Sequence, residues 1–281
     1  MFKHLLSIIL IFTSVSFVLA QGDTEIPPAS FTPESIDGGI LCAEEILQFP
    51  LVVTIPGLDI PPIEELDIMI LMDTTGSMGS QINAVKNNTQ QIVEGLRAEV
   101  ADTRFGFATF NSEDEDPFIL DADFSTDLNS FNTALAPVQA YGGGNEVLLR
   151  GAWELAQLQW RENAIKVVVV FTDEVFMDPD PGRDGQRNTD DDLTFEGTVS
   201  DLQAQGIQVI AVQSGSSGSL ARVLQELADE TNGTYFQLRD AEDIPELIVT
   251  GVSGLIAGSR FTFEPTGSGS TRLSSADDNW F

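Results

Sequence analysis

Histidine and cysteine are almost absent from this 281-residue chain, which holds one of each, His4 and Cys42. That scarcity excludes His-assisted nucleophiles, Cys–His pairs, His-ligated zinc and thiolate clusters. Carboxylates and hydroxyls are what remain for chemistry. Positive charge is scarce as well. Thirteen Lys and Arg stand against forty-four Asp and Glu, a formal net charge of −31. Such a surface repels phosphate backbones and anionic lipid unless a cation intervenes, so nucleic acid is not an expected partner. A lone cysteine cannot close a disulfide within the chain. Apolar residues are not scarce: they make up 42% of the sequence and come in dense runs. The negative charge therefore decorates a folded core, and the length suits one or two domains.

Residues 1–20 carry Lys3 and His4, then an apolar stretch from Leu5 to Leu19, then small Ala20 before polar Gln21. This reads as a cleaved secretory signal, which places the mature chain outside the cell or at its surface; no second candidate membrane span follows. Residues 21–65 form a Pro- and acid-rich lead-in, with short apolar pieces such as Leu51-Val52-Val53 that read as one or two strands. Asn87-Asn88-Thr89 and Asn232-Gly233-Thr234 fit the glycosylation acceptor pattern. Residues 259–281 form a Gly- and Ser-rich tail expected to be flexible.

Between 66 and 258 short apolar runs alternate with longer amphipathic stretches, the pattern of a parallel sheet covered by helices. Strands are predicted at Ile68–Met72, Phe105–Phe110, Ile165–Phe171, Ile207–Val212 and Thr234–Leu238. Runs such as Val167-Val168-Val169-Val170 suit strands buried on both faces. Phe118–Ala122 follows Phe110 too closely for a helical crossover, so it is predicted to pair antiparallel at the sheet edge. Core-facing helical stripes recur at Ile82, Val85, Thr89, Ile92, Val93 and Leu96, at Leu220, Val223, Leu224 and Leu227, and at Ile244, Leu247, Ile248, Val252 and Leu255. The fold class is an α/β three-layer sandwich with a mostly parallel central sheet and one antiparallel edge strand.

The first of these strands runs into Asp73-Thr74-Thr75-Gly76-Ser77 and then a helix. In an open parallel sheet, ligands bind outside the carboxyl ends of the strands, where a carboxylate and two hydroxyls at even spacing would sit together. Oxygen donors of this kind suit a hard cation such as Mg²⁺. The plainer reading is that Asp73, Thr75 and Ser77 cap the following helix. Two further segments reach the same rim. Thr172-Asp173-Glu174 ends the central strand, and Tyr141-Gly142-Gly143-Gly144-Asn145-Glu146 is a glycine-rich turn opening a helix near Val147.

Together these segments resemble the von Willebrand factor type A domain and its metal-ion-dependent adhesion site. Asp73, Thr75 and Ser77 match the Asp-x-Ser/Thr-x-Ser element, while Glu146 and Asp173 stand where the family adds ligands from a glycine loop and after the central strand. The glycine loop followed by Glu146 is most similar to the integrin β-subunit I-like branch, with three departures. Ser80 and Gln81 replace the acidic pair of an adjacent calcium site, Gly143 stands where the branch often has Asp, and the branch's disulfides are missing. Asn145 is an alternative to Glu146 as the loop ligand. The resemblance implies a Mg²⁺ site, with Mn²⁺ or Ca²⁺ as substitutes, whose open position takes a carboxylate from an extracellular protein. It also implies a last helix, Ile244–Ile256, that can shift to change affinity.

Two other functions are weighed. One is a surface-assembly module whose cation only stabilises it. The other is a carboxylate- or metal-dependent hydrolase, for which Thr75 in place of a second Asp two residues after Asp73 gives little support. An enzyme is not expected. The loop Asp178–Asp192 spaces carboxylates loosely like a calcium loop, but it lacks the twelve-residue pattern and also reads as a solvated acidic loop.

Overall fold

The computed structural model describes residues 63–260, with side chains through 257, and two short strands before them, β1 (Ser30–Thr32) and β2 (Val52–Thr54). The expected leader, Cys42 and the tail from 261 onward lie outside the described residues. β1 and β2 pair antiparallel, with Ser30 opposite Thr54. A separate compact unit spans Ile63–Ala257.

Six strands build this unit: β3 (Glu65–Asp73), β4 (Asp102–Phe110), β5 (Ile119–Ser125), β6 (Ile165–Thr172), β7 (Ile207–Gln213) and β8 (Thr234–Gln237). Their order across the sheet is β5-β4-β3-β6-β7-β8. Every pairing is parallel except β4 with β5, the antiparallel edge expected from the short connection after Phe110. The chain starts in the middle at β3, moves outward through β4 and β5, and returns to the other side of β3 with β6. The crevice between β3 and β6 at their carboxyl ends is thus the topological switch point, where loops diverge and a ligand has room.

Alternation along each buried strand divides the interior into two layers. Leu66, Ile68, Ile70 and Met72 of β3, with Val167, Val169 and Phe171 of β6, face one layer. The helices covering it are α1 (Gly79–Glu99), α2 (Leu128–Leu135) and α6 (Ile244–Arg260). Met69 and Leu71, with Val168 and Val170, face the other layer, which is closed by α3 (Leu148–Ala156), α4 (Phe195–Gln205) and α5 (Gly218–Glu230). Every stripe residue of α1 named from the sequence is buried. Thr89 belongs to that stripe, with its hydroxyl donating to the Val85 carbonyl at 2.8 Å, so the first acceptor pattern lies on α1 with Asn87 exposed and Thr89 buried. Asn232 is exposed in the turn before β8. α2 and α4 are additional to the helices expected.

One charged group interrupts the apolar run of β3. Asp67 is fully buried at the end of the sheet opposite the carboxyl rim. Its Oδ1 accepts from Arg104 Nε and Arg161 Nε, both at 2.8 Å, and its Oδ2 from the Arg161 amide at 2.8 Å and from Arg104 Nη2. Arg161 also pairs with Glu65 and Asp102, and the Arg104 guanidinium lies 4.9 Å from the centre of the Phe124 ring. Burial pushes the Asp67 carboxyl up, but the donors from Arg104 and Arg161 outweigh it and hold it below the ordinary carboxylate value.

Candidate functional site

β3 delivers Asp73 to the rim fully buried, and the chain turns there because Asp73 Oδ1 accepts from the Thr75 amide at 2.8 Å. The other carboxylate oxygen accepts from Thr172 Oγ1 at 2.8 Å, tying the ends of β3 and β6 together across the switch point. Thr74 points elsewhere: its hydroxyl donates to the Phe110 carbonyl, Asn111 donates to it, and its own carbonyl accepts from the Tyr141 amide. A single 3-10 turn, Gly76–Met78, carries exposed Ser77 and leads into α1. Neither this turn nor α1 receives a side-chain cap. Asp73, Thr75 and Ser77 therefore do not cap the helix.

The glycine loop crosses the same rim. Gly142, Gly143 and Gly144 all have positive φ (62°, 139° and 152°), a path that favours residues without a Cβ. The loop also lies so close to the Asp73 turn that a Cβ on Gly76 would come within 3.3 Å of the Gly142 carbonyl. Three backbone hydrogen bonds to two neighbouring segments pin the loop's far end. Asn145 O accepts from the Glu113 amide, Val147 N donates to Asn111 O, and Glu146 O accepts from Met177 N. Glu146 is consequently buried, 5% exposed, and bridges Ser112. Asn145 is exposed, and its amide donates to Glu113 at 2.6 Å. Of the two loop candidates, Glu146 is the one turned inward.

Asp173 follows Thr172 on the same edge. Its Oδ1 and the hydroxyl of Thr75 are both buried without a hydrogen-bond partner, as is the hydroxyl of Ser112. Buried polar atoms are nearly always paired, so oxygens without partners on a shared rim call for a ligand. Charge points the same way. Burial, with the Asp173 charge adding to it, pushes the Asp73 carboxyl up to about 6 against its hydrogen bonds. Burial, then the charges of Asp73, Glu174 and Asp173, push Glu146 up to about 7. The rim is a set of under-compensated oxygens that a cation would satisfy. Among the described residues no three Asp, Glu, His or Cys side chains are grouped to hold a metal ion by themselves. The donor set fits a hard, partly hydrated cation.

Sequence reading missed Thr172 as the group fixing Asp73, and Asn111, which joins Thr74 to the Tyr141 carbonyl. Polar residues directly after an apolar strand, as Asn111 and Ser112 stand after β4, were the available signal. Four carboxylates of the Asp178–Asp192 loop accept hydrogen bonds from backbone amides. Buried Asp180 accepts from the Gly182 and Arg150 amides, Asp184 from Gln186, Asp191 from Asp184, and Asp192 from Asn188. Ser80 and Gln81 are hydrogen-bonded to each other, and Gln81 donates to Ser214 at 2.5 Å.

The family model for the von Willebrand factor type A domain matches residues 67–249. The chain belongs to that family. Among solved structures, a von Willebrand factor type A protein from Catenulispora acidiphila is similar at 17% identity and a TM-score of 0.49, over 75% of this chain and 44% of that one. This chain thus spans less than half the length of that structure. No curated protein matches the chain. Within this von Willebrand factor type A domain, the matched region begins on β3 and ends in α6, enclosing Asp73, Glu146 and Asp173.

Proposed function

We propose that this von Willebrand factor type A domain is a secreted or cell-surface module for metal-dependent adhesion or ligand binding. In this reading Asp73, Thr75, Ser77, Glu146 and Asp173 hold a divalent cation, Mg²⁺ first, with Mn²⁺ or Ca²⁺ as substitutes. The observation that carries it is the pair of buried oxygens without partners, Thr75 Oγ1 and Asp173 Oδ1, contributed by the loops after β3 and β6. Family membership supports the coarser part, since adhesion and ligand binding are common roles of these domains.

The cation would supply positive charge with an open coordination position, which makes a carboxylate the favoured incoming group on a surface of net charge −31. The chain's own residues do the rest. Thr172 and the Thr75 amide orient Asp73, the glycine loop and its backbone anchors aim Glu146, and the 3-10 turn presents Ser77 toward solvent. The partner is an extracellular protein presenting an acidic side chain. The module is read as a binder and not an enzyme. Its likeness to the integrin β-subunit I-like branch extends to the glycine loop ending in Glu146 and stops at Ser80 and Gln81.

The test is thermal unfolding with chelator, Mg²⁺, Mn²⁺ or Ca²⁺, beside Asp73→Ala, because a ligand that binds only the folded state raises its midpoint. A saturable rise in wild type that is absent in Asp73→Ala supports the site, and equal responses refute it. Retention of an acidic protein ligand on immobilised domain, lost on chelation while the domain stays folded, separates adhesion from a purely stabilising cation.

A further inference from the structure

Basic residues are few, and nearly all are occupied. Lys86, Arg97 and Lys166 donate to carbonyls, and Arg104, Arg150, Arg161, Arg183 and Arg187 pair with carboxylates. Among residues 63–257 only Arg222 and Arg239 make no such contact, and Arg239 lines a cleft. That cleft, about 410 Å³, lies between the start of α1 and the turn from β8 to α6, and is walled by Gln81, Ser214, Gly215, Leu238 and Asp240 among others.

The cleft adjoins the candidate cation site. Gln81 is four residues beyond Ser77, and a Cβ on Gly215 would stand 3.7 Å from the Cβ of Asp173. Gln81 is bonded to Ser214 and Ser80, and one oxygen of the exposed Asp240 carboxylate accepts from the Glu242 amide at 3.4 Å. The one basic group on the cleft is the exposed guanidinium of Arg239, which makes no ion pair among the described residues. A fixed guanidinium fork favours a carboxylate.

We propose that this cleft is a second contact for the partner, in which Arg239 takes a further acidic side chain from the same extended segment whose first carboxylate is bound at the Asp73 site. The inference rests on the cation-site reading and narrows the partner to a segment with two acidic residues close in sequence. Discrimination arises because a surface of this charge repels poly-acidic chains everywhere except at these two neighbouring points.

The probes are synthetic Gly/Ser peptides carrying one Asp, or two Asp separated by one to four residues, titrated in saturating Mg²⁺ by fluorescence polarisation. The best-spaced two-Asp peptide is expected to bind wild type about threefold to fivefold more tightly than the one-Asp peptide, the size of an exposed ion pair. Arg239→Gln removes that advantage and leaves one-Asp binding unchanged, and raised salt erodes the advantage first. Asp73→Ala or chelator abolishes both. Absence of any two-Asp advantage, or its survival in Arg239→Gln, overturns the second contact alone. If neither peptide binds at millimolar concentration, or binding ignores Mg²⁺ and Asp73, the cation-site reading falls and the second contact with it.

Discussion

Removing the Asp67 side chain tests whether a buried charge supports this fold or merely sits in it. The carboxylate is fully buried and accepts four hydrogen bonds from Arg104 and Arg161. Taking one partner from a buried ion pair costs about 3–5 kcal/mol when the remaining charge is stranded. Here both guanidinium side chains keep some access to solvent, 24% and 19% exposed, which lowers the expectation for Asp67→Ala to about 2–4 kcal/mol. For a domain of this size, that is a fall in midpoint of about 5–15 °C. Urea unfolding in chelator measures the loss without any cation effect. A double-mutant cycle with Arg104→Ala should return a coupling of about 1 kcal/mol or more. The pH dependence has a definite sign. Because the folded-state value of Asp67 is depressed, its stabilisation is present above the ordinary carboxylate range and disappears as pH falls through the folded value. Wild type should therefore lose its margin over Asp67→Ala in acid. A cost under about 1 kcal/mol, or strict additivity with Arg104→Ala, would refute the reasoning.

At the rim the sign is opposite. Asp73 at about 6 and Glu146 at about 7 are raised, so the cation-free domain should become less stable as pH climbs from about 4 to 7.5. Each group contributes about 2–3 kcal/mol at most, and melts with and without saturating Mg²⁺ should show the decline only in chelator. Thr75→Val should change stability by less than about 1 kcal/mol in chelator, where the hydroxyl has no partner, yet cut the Mg²⁺-induced rise in midpoint. An equal rise in both proteins would rule out that hydroxyl as a ligand. Two glycines make a matched pair read by thermal unfolding. A Cβ on Gly233 would lie 1.9 Å from the Val209 carbonyl oxygen, so Gly233→Ala should cost about 3 kcal/mol or more. Gly254 in α6 has open space, so Gly254→Ala should be neutral or stabilising by up to about 1 kcal/mol.

Much of the sheet was legible because buried parallel strands leave an unmistakable mark. Val167–Val170 has no polar residue to assign to either face, and both faces are indeed covered. The antiparallel edge followed from loop length alone. Periodicity was silent on which layer each helix joins, since that depends on crossover geometry and not on the helix's own residues. α4 went unread because Thr198 and Gly197 dilute its apolar stripe, and α2 because it spans only Leu128–Leu135. At the rim, the positions of Asp73, Glu146 and Asp173 were legible from their places after strands and a glycine turn. What spacing could not show is that Asn145 turns outward to Glu113 while Glu146 is pinned inward. Backbone bonds from Asn111, Glu113 and Met177 decide that, and those residues are remote in sequence. Arg239 carried no signal as a single residue, and its meaning comes from the partners it lacks.

The placement of β3 has a mechanical consequence. The strand begins at Glu65, where the lead-in enters the unit, and ends at Asp73 on the rim, with β4 and β6 in register on either side. A pull between a group gripped at the rim and the chain leading into Glu65 runs along the length of this strand. Such a load shears both flanking ladders at once, so their hydrogen bonds must yield together and cannot be peeled one at a time. The seven residues Leu66–Met72 are paired on both sides, so under such a load the strand would act as a tension-bearing rod.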